Sequence, residues 1–254
     1  MSPHQIPASA PIAVDASSHP GVLIVTLDRP DERNAMSDAL VESLLSLLDS
    51  AEAQSAGAIL LAGAGRGFCA GSDLVGLAAM DMAARRAFEA ASGLLARRIV
   101  AHPRPVIAAV HGFAIGGGLT LAAACDIVVS TAAAKWSLPE VPIGLFPAWG
   151  LEPVERRVGH ARARRLAFGL DTLDGATAAQ WGLVDMVAED ALTDAAAIAE
   201  RLAAMPASQI AAVKDYFAVI RSGAPADEAA NRHFIAACDT AAAAESFERY
   251  GHKR

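Results

Sequence analysis

The chain has 254 residues, a formal net charge of −7 at pH 7, 54% hydrophobic residues and 5% aromatic ones. That length suits one large domain, or one domain with an appendage, around a sizeable core; the apolar, alanine-rich composition excludes a disordered chain and favours a helix-rich α/β protein. The acidic balance, without any block of like charge, excludes a non-specific nucleic-acid surface, and no apolar run reaches the ~18 residues that a membrane span requires.

In chain order, residues 1–20 hold Pro3, Pro7, Pro11 and Pro20 among Ala and Ser, lack the basic start and apolar core of a signal peptide, and are expected to form a loose arm. Val22–Leu27 reads as a strand closed by Asp28-Arg29-Pro30, and Ser37 as the N-cap of a helix to residue 53 with Leu40, Leu44, Leu47 and Leu48 on one face. A second strand over 58–62 ends in Gly63-Ala64-Gly65-Arg66-Gly67. The segment from Leu74 to Ala101 has weak boundary signals. Another strand is expected over 126–130, an extended stretch over 135–140, a Pro- and Gly-rich loop over 142–150, helices over 160–169 and 176–182, and a strand over 184–187. From Ala191 the pattern is helical to the end, so a boundary between an α/β part and an all-helical part is expected near residue 190.

Between these lies Pro105 to Cys125, PVIAAVHGFAIGGGLTLAAAC. A β-branched strand, Val106–Val110, ends at Gly112; Gly116, Gly117 and Gly118 follow, then a strong helix-former run from Leu119 to Ala124. Strand, glycine turn and helix start present unpaired backbone N–H groups, at the positive end of the macrodipole, to something negative. A tight turn with close helix–sheet packing accounts for the same glycines, and this stretch alone does not separate the two.

Other polar stretches are ambiguous singly. Gly63-Ala64-Gly65-Arg66-Gly67-Phe68 invites a dinucleotide reading that fails because Phe68 occupies the third glycine position. Gly71-Ser72-Asp73 is an Asx turn or a turn with ligand-facing amides. Glu140, in Pro139-Glu140-Val141-Pro142, is either a solvated loop residue or a carboxyl whose pKa is raised by desolvation. His102 reads as a solvated loop residue, and Glu152 and Glu155 as residues at the start of a helix. Cys69, Cys125 and Cys238 show no CxxC spacing, cannot all pair and read as reduced thiols of a cytoplasmic protein; no metal-ligand spacing is present.

Together these pieces resemble the crotonase superfamily, whose type members are enoyl-CoA hydratases and isomerases. The matching blocks are RPDERNAMS (29–37), GAGRGFCAGSDL (63–74), HGFAIGGGLTLAAACDIV (111–128), SLPEVPIGLFP (137–147) and QWGLVDMV (180–187), in the family's order. The resemblance implies an α/β fold, a spiral of ββα units over residues 21–190, with a helical C-terminal domain over 191–254 that packs trimers, often stacked as hexamers. It implies a coenzyme A thioester as substrate, with no permanently bound cofactor and no nucleic-acid or membrane partner. The thioester oxygen is expected between the backbone N–H groups of Ser72 and Gly117. The adenine and phosphates are expected along Arg29, Arg33, Ala35, Ala70, Asp73 and Leu74. His111 falls at a position that is usually structural in the family.

Departures from the family pattern narrow the reaction. Hydratases carry two glutamates; one position is Glu140, the other Thr120. The aspartate of dienoyl isomerases is replaced by Ala148, and Trp149 stands where the family has a small residue, narrowing the acyl pocket. The expectation is double-bond isomerisation with Glu140 as single proton shuttle. The alternatives are hydration or hydratase-lyase chemistry, with Thr120 and the backbone near Ala148 holding water, and a non-catalytic acyl-CoA-binding scaffold.

Overall fold

The computed structural model describes residues 11–219, 231, 234–236 and 238–251. Strand β1 (Ile12–Asp15) pairs antiparallel with β2 (Val22–Leu27), Val14 opposite Val25. Residues 12–15 are thus a strand where the sequence suggests a loose arm. The Asp15 carboxylate accepts from Ser17 N at 2.7 Å, which tightens the turn and folds β1 back onto the edge of the sheet. After a 3₁₀ turn at Pro30–Glu32, helix α1 (Asp38–Leu48) starts at Ser37, whose hydroxyl accepts from Leu40 N; Leu40, Leu44, Leu47 and Leu48 are buried. It stops short of the expected residue 53, because Ser50 caps a separate α2 (Ala51–Ser55).

Strand β3 (Ala58–Gly63) leads to α3 (Leu74–Ala79) and α4 (Met82–Ala101), capped by the carboxylates of Asp73 and Asp81. Then come β4 (Val106–Val110), β5 (Phe113–Ile115), α5 (Gly117–Ala124), β6 (Ile127–Thr131), β7 (Lys135–Ser137) and a 3₁₀ turn at Val141–Ile143. The chain continues through α6 (Leu151–Val158), α7 (His160–Ala167), β8 (Thr172–Leu173), α8 (Gly175–Trp181), β9 (Met186–Ala188), α9 (Ala191–Ala203) and α10 (Ala207–Val219). Near the C-terminus lies α11 (Ala241–Gly251).

The strands form a six-stranded sheet, β1-β2-β3-β4-β6-β9, parallel except for β1, and a small sheet, β5-β7-β8. Parallel strands covered on both faces need continuous apolar runs, and AILLA in β3 and VIAAV in β4 supply them. One face packs on the core containing α1, α4 and α5. The other takes α9, whose Ala191, Ala195 and Ala199 repeat every turn and let the helix lie close against Leu60, Ile107 and Val129. The expected boundary near residue 190 therefore marks a change in composition, since α9 packs as a layer of the sheet.

Of the apolar residues in this helical stretch, Ile198 and Leu202 pack against that layer and Val213 is exposed, as is Met205; Ile220 lies outside the described residues. Buried Lys214 ties α10 to the core through Ile99 O at 3.2 Å and the Asp126 carboxylate. Helix α11 packs on α3, with the Arg85 guanidinium 3.9 Å from the centre of the Phe247 ring. Among the described residues no helix is long and apolar enough to cross a membrane.

Candidate active site

The site is built where β5 and β7 end side by side. They pair in parallel with Ile115 opposite Ser137, and Gly116 N donates to Ser137 O at 2.8 Å. Three residues beyond Ser137, Glu140 comes to rest over the glycine turn. Gly116 has φ +53°, and a Cβ there would stand 2.6 Å from Glu140 Oε1. Glycine is required twice at this position, by the backbone and by the carboxyl. All eight residues of α5 are buried. Its C-terminal carbonyls are satisfied by Arg157, which donates to Ala123 O at 2.9 Å and to Cys125 O at 2.6 Å and places a cation at the negative helix end.

The second wall is the loop carrying Ser72. Met36 N donates to Gly71 O at 2.8 Å and Asp73 N to Met36 O at 2.9 Å, a parallel bridge that turns the N–H of Ser72 away from Met36. Buried Asn34 holds this loop system: its amide donates to Ala64 O and Gly67 O at 2.8 and 2.9 Å, and its oxygen accepts from Arg29 N at 3.0 Å. A Cβ on Gly117 would lie 3.5 Å from Ser72 N, so the two peptide units are neighbours. Among the described residues neither the Ser72 nor the Gly117 N–H donates to a backbone carbonyl. Two adjacent, unspent donors at a helix start are chemically suited to an anionic oxygen.

Ser72, Gly117, Glu140 and Thr120 border one cavity of about 60 Å³, together with Ala70 and Leu74. Glu140 Oε2 is cut off from solvent and has no hydrogen-bond partner among the described residues. Burial raises this carboxyl to about 7. Thr120 donates to Gly117 O at 3.0 Å, which commits its hydroxyl proton to its own helix. Trp149 closes one side, with its Cζ2 3.0 Å from where a Cβ on Gly117 would stand. Arg29, Arg33, Ala35 and Asp73 do not border the cavity. Arg29 is ion-paired to Asp73 at 3.1 Å and donates to Ala35 O, whereas Arg33 is exposed on the same loop.

The cavity also contains a residue that sequence reasoning missed. Glu89, on α4, is 2% exposed and lines the same space. Burial, and then the charge of Glu140, raise its carboxyl to about 8. The signal that could have found it is the helical spacing of Phe88, Ser92, Leu95 and Ile99: all four are buried, and Glu89 falls on the edge of that face.

Other candidates fall away from the chemistry. His102 is buried, contrary to the solvated reading, because it caps the end of α4 and accepts from Arg104 N at 3.1 Å; burial lowers its pKa. His111 Nε2 lies 2.9 Å from Gly65 O. Glu152 pairs with Arg156 and Glu155 with His160, and neither borders the cavity. Burial pushes the Cys69 thiol up to about 12, which makes it inert as a nucleophile.

Residues 17–254 match the sequence profile of the family described as enoyl-CoA hydratase/isomerase. The chain is 36% identical over 174 residues to the 2,3-dehydroadipyl-CoA hydratase of Escherichia coli K12, covering 68% of each. It is also 36% identical over 206 residues to the 1,2-epoxyphenylacetyl-CoA isomerase of that organism, covering 76% of this chain and 77% of the other. The crystal structure of an enoyl-CoA hydratase/isomerase from Mycobacterium paratuberculosis is similar with a TM-score of 0.86 at 26% identity, over 94% of this chain and 98% of that one.

Proposed function

Because the chain belongs to the enoyl-CoA hydratase/isomerase family, within the crotonase superfamily, we propose that its cavity takes the acyl end of a coenzyme A thioester and moves a double bond within it. The thioester oxygen accepts from the N–H groups of Ser72 and Gly117. As a proton leaves C2, negative charge develops on that oxygen, at the N-terminus of α5. One such donor contributes roughly 3 kcal/mol of transition-state stabilisation. Glu140 is the base. A carboxyl raised to about 7 is ionised in useful amount at neutral pH and basic enough to take a proton next to a thioester.

The observation that carries this reading is the Glu140 carboxyl over Gly116, its Oε2 enclosed and without a partner among the described residues, beside two adjacent N–H groups with no backbone acceptor. Thr120 offers no substitute, being neutral and hydrogen-bonded to Gly117 O. The adenine and phosphates leave the cavity past Ala70 and Leu74 at its border and run on along Arg33, Ala35 and Asp73, with Arg29 bracing Asp73. Water addition is the second reading, favoured by one observation: Glu89 puts a second carboxyl in the same cavity. Assembly as a trimer or a dimer of trimers is implied by the family resemblance alone, and the exposed Met205 and Val213 leave apolar surface that a neighbouring subunit would cover.

The test is the pH dependence of double-bond migration in a 3-enoyl-CoA, with water addition to a 2-enoyl-CoA scored separately. Glu140 acts as a carboxylate, so kcat/KM for migration is expected to rise with pH up to about 7. A rate that is flat, or that falls, between about pH 5 and 7 contradicts the assignment of Glu140 as the base.

A further inference from the structure

We propose that Glu89 is a second catalytic residue, the acid that gives a proton to C4 of the acyl chain once Glu140 has taken one from C2. The inference rests on the enolate reading above and replaces a single shuttle with a pair of carboxyls.

Geometry comes first. Glu89 is on the buried side of α4, where an apolar residue would pack at no desolvation cost. It borders the cavity that Glu140 borders. Among the described residues, three charged or titratable groups lie around it. Glu140 is across the cavity, Arg85 is one turn earlier on α4, and Cys238 approaches from the C-terminal segment. Arg85 is spent elsewhere, donating to Leu77 O at 2.9 Å and lying over the Phe247 ring. Burial pushes the Cys238 thiol up to about 11, so it is neutral.

Two buried carboxyls that border one cavity each disfavour the ionisation of the other. Glu140 stands over Gly116 at the N-terminus of α5, where the helix dipole favours negative charge, whereas Glu89 lies on the buried face of α4 with no helix N-terminus beside it and keeps its proton. At neutral pH one is therefore a base and the other an acid.

The step balances. The C2–H bond breaks, its proton goes to Glu140, and its electron pair enters the thioester dienolate. C4 then takes the Glu89 proton with the C3=C4 π pair, the C1=C2 pair of the dienolate moves to C2=C3 and the thioester carbonyl re-forms, leaving Glu89 as carboxylate and Glu140 as acid. Transfer of one proton from Glu140 to Glu89, directly or through a water, restores both.

The experiment is a single turnover of a 3-enoyl-CoA deuterated at C2, scored for deuterium at C4 of the product, in the parent enzyme, Glu89→Gln and Glu140→Gln. The parent is expected to place protium at C4. Glu89→Gln has only Glu140 to use; it is expected to return deuterium to C4 and to turn over roughly a hundredfold more slowly. Equal deuterium at C4 in the parent and Glu89→Gln, or an unchanged rate in Glu89→Gln, overturns the proposal while leaving the Glu140 reading intact. Deuterium retained at C4 by the parent itself overturns it without need of any variant. Near-parental turnover in Glu140→Gln overturns the preceding reading instead.

Discussion

Glu140→Gln is expected to lower turnover by about two to four powers of ten, with coenzyme A affinity close to that of the parent. Glutamine keeps the shape and the position over Gly116 and removes only the base. The coenzyme arm is held by other residues, so binding survives. The same substitution has an opposite effect on stability. Glu140 has an ordinary value of 4.5 and is raised to about 7 in the folded chain, so folding takes up a proton between these values. Stability from this group is present below about 4.5 and is lost as pH rises through about 7, because the folded state then holds a desolvated charge. Glu140→Gln should therefore melt no lower than the parent above pH 7, the pattern of a residue retained for chemistry at the expense of stability. Calorimetry and steady-state kinetics on one preparation check both halves. A variant that melts well below the parent would mean that glutamine disturbs the loop, and its lost activity would say nothing about proton transfer.

Gly116→Ala is expected to damage fold and chemistry together. The backbone at φ +53° admits glycine readily and other residues at a cost of about 1–3 kcal/mol. The added Cβ, 2.6 Å from Glu140 Oε1, must also push the carboxyl away from its place beside the two N–H groups. A displacement on the order of 1 Å in a catalytic group costs about a hundredfold in rate. Urea unfolding should show the loss in stability, and turnover on a 3-enoyl-CoA the loss in rate. If alanine leaves both unchanged, Glu140 does not depend on the glycine turn for its position.

How far the sequence could be read depends on how local each cause is. The start of α5 at three glycines is a local event, and so is the engagement of Thr120 with a carbonyl one turn earlier. The Pro139-Glu140-Val141-Pro142 context hints at a raised Glu140 carboxyl, but the burial that raises it comes from its seat over Gly116 and the remote walls of the cavity. Glu89 is different. Its burial depends on which face of α4 turns toward α5 and the 3₁₀ turn at Val141–Ile143, and those partners are remote in the chain. Arg85, Arg86, Arg97 and Arg98 blur the apolar stripe that would have marked that face. The burial of His102 has the same kind of cause, since flanking Ala101 and Pro103 say nothing of Gln54, 48 residues away, closing over it. The ion pair of Arg29 with Asp73 joins two loops 44 residues apart, so each looked available to a ligand. The strand β1 depended on a sheet edge that only the assembled fold provides.

The central claim is that one cavity holds the thioester oxygen between the N–H groups of Ser72 and Gly117 with Glu140 facing C2. It is tested most directly by a crystal structure of the enzyme with an unreactive acyl-CoA thioester. The oxygen is expected about 3 Å from both nitrogens, with C2 about 3–3.5 Å from a Glu140 oxygen. A thioester bound with its oxygen turned away from either nitrogen, or with C2 beyond reach of Glu140, would contradict it.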